Sequence, residues 1–274
     1  MTEPATERSS DTCYRHPDRH SYVLCQRCGR TICPQCQTQA AVGVQCPECV
    51  REGRAATPRR APGVVRAFRP GSSQPVVTFA LIGVTVLVFI LQQLTPAVEI
   101  YGIYRPQFTL LLPWTPITAV FLHASVLHIL FNTYSLFVFG PILEHLLGRA
   151  RFFALYLVSG FGGSVAVLLL NPTGGVLGAS GAIFGLMGAF FVIQRRLGGD
   201  NIQIFIVIAI NLAAGFFIPG ISWQAHLGGL VAGGLVALVY LRTRRADQRR
   251  LQVVLVGAIT TALIAITVVR ALTL

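Results

Sequence analysis

Ser180 stands in the stretch Gly178-Ala179-Ser180-Gly181-Ala182-Ile183-Phe184-Gly185, at the start of an otherwise apolar run. His226 opens a second apolar run as Ala225-His226-Leu227-Gly228-Gly229. In a third, His128 and Asn132 lie four residues apart. A neutral imidazole within reach of a serine hydroxyl is a general base for acyl transfer. Ionisable groups are expensive in a bilayer, so those that occur in apolar runs mark candidate function. A serine among glycines is also an ordinary packing motif, and the partners decide between the two readings.

The partners are few. Carboxylates are nearly missing from the apolar runs: Asp200 and Asp247 fall in loops, and Glu144 lies with His145 near a helix end. The lack of aspartates on neighbouring spans argues against an aspartyl protease, and the lack of His-Glu-x-x-His against a zincin-like metalloprotease. His123, His128 and His226 are the alternative makings of a metal site. At helical spacing Gly229 and Gly233 share the face of His226, and Gly181, Gly185 and Gly188 give the serine run the same small-residue stripe. Two such helices can approach closely enough for a direct Ser180–His226 contact, with Phe184 one turn after the serine to pack under the imidazole. His128, Asn132 and the Ser180 amide at its helix start are candidate donors for an oxyanion.

These residues need a membrane scaffold to position them. Of 274 residues, 53% are hydrophobic and 12% charged, more apolar surface than a soluble domain of this length can hide. Seven apolar runs are expected at about 75–95, 117–140, 150–170, 179–194, 202–218, 223–241 and 251–272, each near the roughly 20 residues of a spanning helix. The formal charge is +12, and every basic residue is arginine. Arg149 and Arg151, Arg195 and Arg196, and the group from Arg242 to Arg250 fall in alternate loops. That pattern reads as a topology signature, not a nucleic-acid footprint, with a cytosolic N-terminus and an outer C-terminus. No signal peptide is apparent in residues 1–74; arginine without lysine hints at a GC-rich bacterial genome, for which the expected location is the plasma membrane.

Before the first run the chemistry changes. All seven cysteines lie between Cys13 and Cys49, in the pairs Cys13-x-x-His16, Cys25-x-x-Cys28, Cys33-x-x-Cys36 and Cys46-x-x-Cys49. A two-residue gap aims two ligands at one ion, so eight ligands suit two structural zinc ions, with none required for catalysis. Interleaved pairing puts Cys13, His16, Cys33 and Cys36 on one ion and Cys25, Cys28, Cys46 and Cys49 on the other. Sequential pairing and His20 as a substitute ligand remain open, as does a reduced cysteine-rich loop. The expected domains are a disordered N-terminus at 1–11, a zinc-binding module at 12–50, a basic linker at 51–74, a membrane domain at 75–241, and a loop with a seventh helix at 242–274. The linker carries Arg51, Arg54, Arg59, Arg60, Arg66 and Arg69, suited to anionic headgroups.

Gly178-Ala179-Ser180-Gly181, Ala225-His226 with Gly229 and Gly233, the His128–Asn132 pair with His123 at the start of the same helix, and Gly140-Pro141-Ile142-Leu143-Glu144 with Gly148 together resemble the rhomboid family of intramembrane serine proteases, over roughly residues 75–241. The resemblance implies an all-α, six-helix membrane bundle, here with one extra helix. It implies Ser180 as nucleophile and His226 as base in a water-filled cavity, and His128, Asn132 and the Ser180 amide as the oxyanion hole. Glu144 would tie helices together, residues 96–116 would form a first loop lying partly in the membrane, and the loop around 217–221 would cap the site. The family often has Trp-Arg where this chain reads Trp114-Thr115. Its substrates would be transmembrane segments of other proteins. The cysteine module resembles a B-box-type double-zinc finger, which implies a structural role or the docking of a cytosolic protein. A catalytically silent relative that binds membrane helices, or a zinc-finger scaffold, are the alternatives.

Overall fold

A computed structural model describes residues 11–40, 42–56, 74–198 and 201–274. Of the N-terminus expected to be disordered at 1–11, residues 1–10 lie outside the described residues, as do linker arginines Arg59, Arg60, Arg66 and Arg69, and Asp200; Asp11 is described, its carbonyl accepting the Ser21 N–H. The chain divides into two units, Met1–Pro62 and Gly63–Leu274.

In the first unit β1 (Thr12–Cys13) pairs antiparallel with β2 (His16–His20), and β3 (Thr38–Gln39) with β4 (Val44–Gln45). Helix α1 (Pro47–Ala56) runs through residue 50, so the expected start of the linker at 51 falls inside a helix. Its first turn holds Cys49 and leads directly into the following turns. Among the described residues of this unit, Ile32 is the only buried apolar side chain that is not a cysteine. So small a core does not hold a domain of this size together without help from a metal or a cross-link.

The membrane unit is helical: α2 (Val76–Leu94), α3 (Pro96–Gly102), the single turn α4 (Thr115–Thr118), α5 (Val126–Leu147), α6 (Arg149–Leu170), α7 (Ser180–Arg196), α8 (Ile202–Phe217), α9 (Trp223–Arg242) and α10 (Arg249–Ala271). Among the described residues five helices are long and apolar enough to cross a membrane: α2, α5, α6, α9, and α10 with the turn before it. The other two long helices are short for the task. With 17 residues α7 spans about 25 Å, less than the roughly 30 Å hydrocarbon core, so its first residue need not reach a membrane surface. The expected run at 117–140 requires correction. The Ser125 hydroxyl accepts the His128 N–H as an N-cap, so α5 begins only at Val126. It then continues through Pro141 to a glycine C-cap at Gly148, φ +84°.

Helices α6, α7 and α9 form the centre. Gly229 lies against the Gly181 carbonyl and Gly233 against the Gly185 carbonyl, so tightly that a Cβ at either position has no room. Gly188 faces the Leu230 carbonyl in the same way. Phe152, Leu155, Tyr156, Leu186 and Val236 fill the space around this contact. Helix α2 is held differently. The Glu144 carboxylate of α5 accepts the Val77 N–H at 3.0 Å, the Thr78 N–H at 2.8 Å and the Thr78 hydroxyl at 2.8 Å. Pro75 offers no side-chain cap, so this buried carboxylate supplies the missing acceptors at the positive end of the α2 dipole. The seventh helix is bolted on at its first turns. Gln252 of α10 accepts from Arg151 Nε at 2.6 Å and donates to the Thr243 hydroxyl at 2.8 Å, while the Tyr240 hydroxyl donates to the Arg151 carbonyl.

Candidate functional site

Ser180 is the first residue of α7 and stays partly accessible. The first amides of a helix have no intrahelical acceptor, so those of Ser180 and its neighbours carry the partial positive charge of the helix start. The preceding backbone is pinned. The Gly178 N–H donates to the Ala119 carbonyl at 2.8 Å, and Gly178 adopts φ +123°, which a side chain would resist. The Ala179 N–H donates to His123 Nε2 at 3.5 Å. The segment before Gly178 is tied to the first loop by a two-way backbone bridge between Tyr104 and Val176. Further anchors run from Gln107 to the Thr173 carbonyl and from Ser164 to the Pro116 carbonyl. Thr115, where arginine often stands in the family, is buried and donates to the Leu112 carbonyl at 2.7 Å.

His226 sits in the first turn of α9, buried, with its imidazole stacked on Phe184 at 4.1 Å between ring centroids and 11° between planes. The Gly181–Gly229 contact sits one residue after Ser180 and three after His226, so the helices meet beside both groups. Among the described residues no hydrogen bond joins the Ser180 hydroxyl to His226, and His226 Nδ1 has no partner. Such bonds are often looser in unliganded enzymes.

His128 lies over Gly178: a Cβ there would stand 2.6 Å from its Cε1 and 2.8 Å from its Nε2. Its Nδ1 faces the Ala124 N–H at 3.4 Å and so acts as acceptor, which leaves the proton on Nε2. The Asn132 side chain is buried and donates to the His128 carbonyl at 2.9 Å, one turn back on its own helix. His123 is not on the helix of His128; it lies in the segment before it, edge-on to that ring at 4.9 Å. One positioning residue escaped the sequence reading. Gln92 of α2, buried, accepts the His123 N–H at 2.9 Å and donates to the His123 carbonyl at 3.4 Å. An amide inside an apolar run was the available signal. The rings of His123, His128 and His226 make no metal-ligand cluster among the described residues.

In the first unit the eight candidate ligands gather in the interleaved arrangement, Cys13, His16, Cys33 and Cys36 in one cluster and Cys25, Cys28, Cys46 and Cys49 in the other. His20 stands apart, its Nδ1–H donating to the Asp11 carbonyl. Tetrahedral zinc with bonds of about 2.3 Å to sulfur and 2.05 Å to nitrogen sets sulfurs roughly 3.8 Å apart and sulfur and nitrogen roughly 3.5 Å apart. His16 Nδ1 lies 3.8, 3.5 and 3.5 Å from Cys13, Cys33 and Cys36, and Cys28 Sγ lies 3.7 Å from Cys46 Sγ. The donor sets therefore fit such an ion. Their acidities agree. Burial raises the Cys13 and Cys25 thiols, but backbone N–H donors outweigh it and bring both to about 6. Burial and the neighbouring thiols push Cys36 up to about 11 and Cys49 up to about 12. Crowded thiolates resist joint ionisation unless a cation sits among them.

Comparison with known proteins bears on the membrane unit. Residues 112–243 match the Rhomboid domain family. The chain is 41% identical over 135 residues to RHOMBOID-like protein 1 of Arabidopsis thaliana, covering 47% of this chain and 34% of that one. It is 38% identical over 137 residues to the putative rhomboid protease YdcA of Bacillus subtilis, covering 48% of this chain and 69% of the relative. It is 37% identical over 131 residues to rhomboid protease GluP of the same organism, covering 45% of this chain and 25% of that one. The matched segment thus spans about a third of the Arabidopsis relative, and these alignments cover less than half of this chain. The apolar helices make the protein a multi-pass integral membrane protein. With the helices that carry Ser180, His226, His128 and Asn132 all inside the matched segment, the chain belongs to the rhomboid family.

Proposed function

We propose that the membrane unit is an intramembrane serine endopeptidase that cuts in or near transmembrane segments of other proteins. The observation that carries this is the glycine-to-carbonyl contact of α7 and α9, which lays His226 flat on Phe184 one turn from Ser180. In the reaction Ser180 Oγ attacks the scissile carbonyl carbon while His226 takes the hydroxyl proton. The carbonyl oxygen becomes an oxyanion, held by the His128 Nε2–H, the Asn132 amide and the Ser180 N–H. Collapse expels the amine, which receives the proton from His226. Water then hydrolyses the acyl-enzyme by the same steps. Substrates are transmembrane segments that unwind readily, because a hydrogen-bonded helix hides its carbonyls. Loop arginines favour a cytosolic first unit and an outer Ser180 end. The test is cleavage of a model transmembrane substrate in detergent by Ser180→Ala and His226→Ala. Both fall to background if the dyad is right, and parental rates in either contradict it. Binding without cleavage by the parent supports the silent-relative reading instead.

The first unit is a zinc module holding two ions on the two clusters, structural in role because eight ligands leave no open position. Metal analysis of the full chain tests it, with two zinc ions per chain expected and fewer contradicting.

A further inference from the structure

The two clusters share a side-chain bridge. Arg30 follows the Cys25–Cys28 knuckle and donates from Nε to Cys28 Sγ at 3.3 Å and from Nη2 to Cys46 Sγ at 3.8 Å, both in the second cluster. Its guanidinium also lies over the Tyr14 ring at 4.3 Å. Tyr14 stands between Cys13 and His16, two ligands of the first cluster. The next residue, Arg15, faces Glu48 at 3.9 Å, and Glu48 stands between Cys46 and Cys49 and faces Arg30 at 3.8 Å. The residues inside a knuckle of one cluster therefore touch those inside a knuckle of the other. Zinc with four thiolates carries a net charge of about −2, against about −1 for three thiolates and a neutral imidazole, so the second cluster has the greater need of the cation. A guanidinium suits both tasks, because its planar fork can donate on one edge while its face stacks on an aromatic ring. The ion pairs to Glu48 are long and partly exposed and add little by themselves.

We infer that Arg30 couples the two metal sites, so that an ion in the first cluster tightens binding of the second. The inference rests on the two-zinc reading. An ion on Cys13, His16, Cys33 and Cys36 fixes the knuckle that carries Tyr14. The fixed ring holds the Arg30 plane, and the held guanidinium keeps Cys28 and Cys46 oriented and their thiolate charge offset. The coupling is reciprocal, as linkage requires.

The experiment uses the full chain in detergent, with zinc content measured first. Fewer than two ions in the parent sinks the two-zinc reading and leaves nothing to couple. With two present, zinc affinity of the second cluster is read by competition with a colorimetric chelator. Tyr14→Leu changes no ligand and removes only the stack, and it is expected to weaken the second cluster by about tenfold. Arg30→Ala weakens it at least as much. Adding Tyr14→Leu to Arg30→Ala then produces no further loss. Second-cluster affinity unchanged in Tyr14→Leu overturns the coupling. So does a loss from Tyr14→Leu that is as large with Arg30→Ala as without it, because the ring then acts by another route.

Discussion

The two units fix their chemical groups by opposite means. In the membrane unit, backbone meets backbone: Gly229 and Gly233 sit on the carbonyls of Gly181 and Gly185, and His226 takes its place from that contact and from the Phe184 ring. In the first unit, the clustered cysteines themselves are the core, with Ile32 the one other buried apolar side chain among its described residues. One unit needs space to be absent, and the other, on the proposed zinc reading, needs a cation to be present. Membrane helices gain little from apolar burial against lipid, so close packing must supply their association. A small unit lacks the area to do likewise, and the two clusters offer it ligation as the proposed substitute.

That contrast can be broken from either side. The largest effect is expected from chelation, because structural zinc supplies on the order of 10 kcal/mol of folding free energy in small modules. Metal removal should unfold the first unit, seen as protease sensitivity between residues 12 and 56, and leave the thermal transition of the membrane unit where it was. Acid works in the same direction. Cys36 and Cys49, whose thiols are pushed up to about 11 and about 12, must give up protons to bind metal, so retention falls as pH falls. Loss of membrane-unit stability on chelation would blur the contrast.

Gly229→Val tests the other side. The added side chain meets the Gly181 carbonyl and drives α7 from α9 beside the site. A displacement of about 1 Å costs on the order of 100-fold in rate, so cleavage should fall at least that far while zinc content is unchanged. A variant that cuts at the parental rate would show that the glycine contact does not set the site. Glu144→Gln should be milder. It removes a charge at the start of α2 and turns an acceptor into a donor facing the Val77 and Thr78 N–H groups. About 1–3 kcal/mol of membrane-unit stability should be lost, read as a lower unfolding temperature. The smallest effect is expected from Phe184→Leu. It keeps bulk but loses the stack on His226, worth about 0.5–1.5 kcal/mol, and should slow turnover by about tenfold or less without altering stability much.

Much of this arrangement was legible in residue types. Glycines at helical spacing around Ser180 and His226 tell which faces meet, because small side chains let the backbones of two membrane helices approach closely. Ligand spacing told which cysteines act in pairs, and the interleaved assignment matches the two clusters. What stayed hidden depended on backbone outside the periodic runs. An unbroken apolar stretch gave no sign that 115–121 are short turns and that α5 waits for Ser125. For that reason the apolar pattern does not separate His123 from the helix of His128, and it gives no sign of the clamp by Gln92. The Tyr104–Val176 bridge joins residues more than seventy positions apart, and no local pattern reports such a contact.

The central claim is that Ser180 is a nucleophile activated by His226. A fluorophosphonate probe applied to the detergent-solubilised chain, with the modified residue located by peptide mass, tests it directly. The predicted result is labelling at Ser180 that is lost in His226→Ala while the folded protein's unfolding temperature is retained. A folded parent that takes no label at Ser180, or a His226→Ala variant that labels at the parental rate, would contradict it.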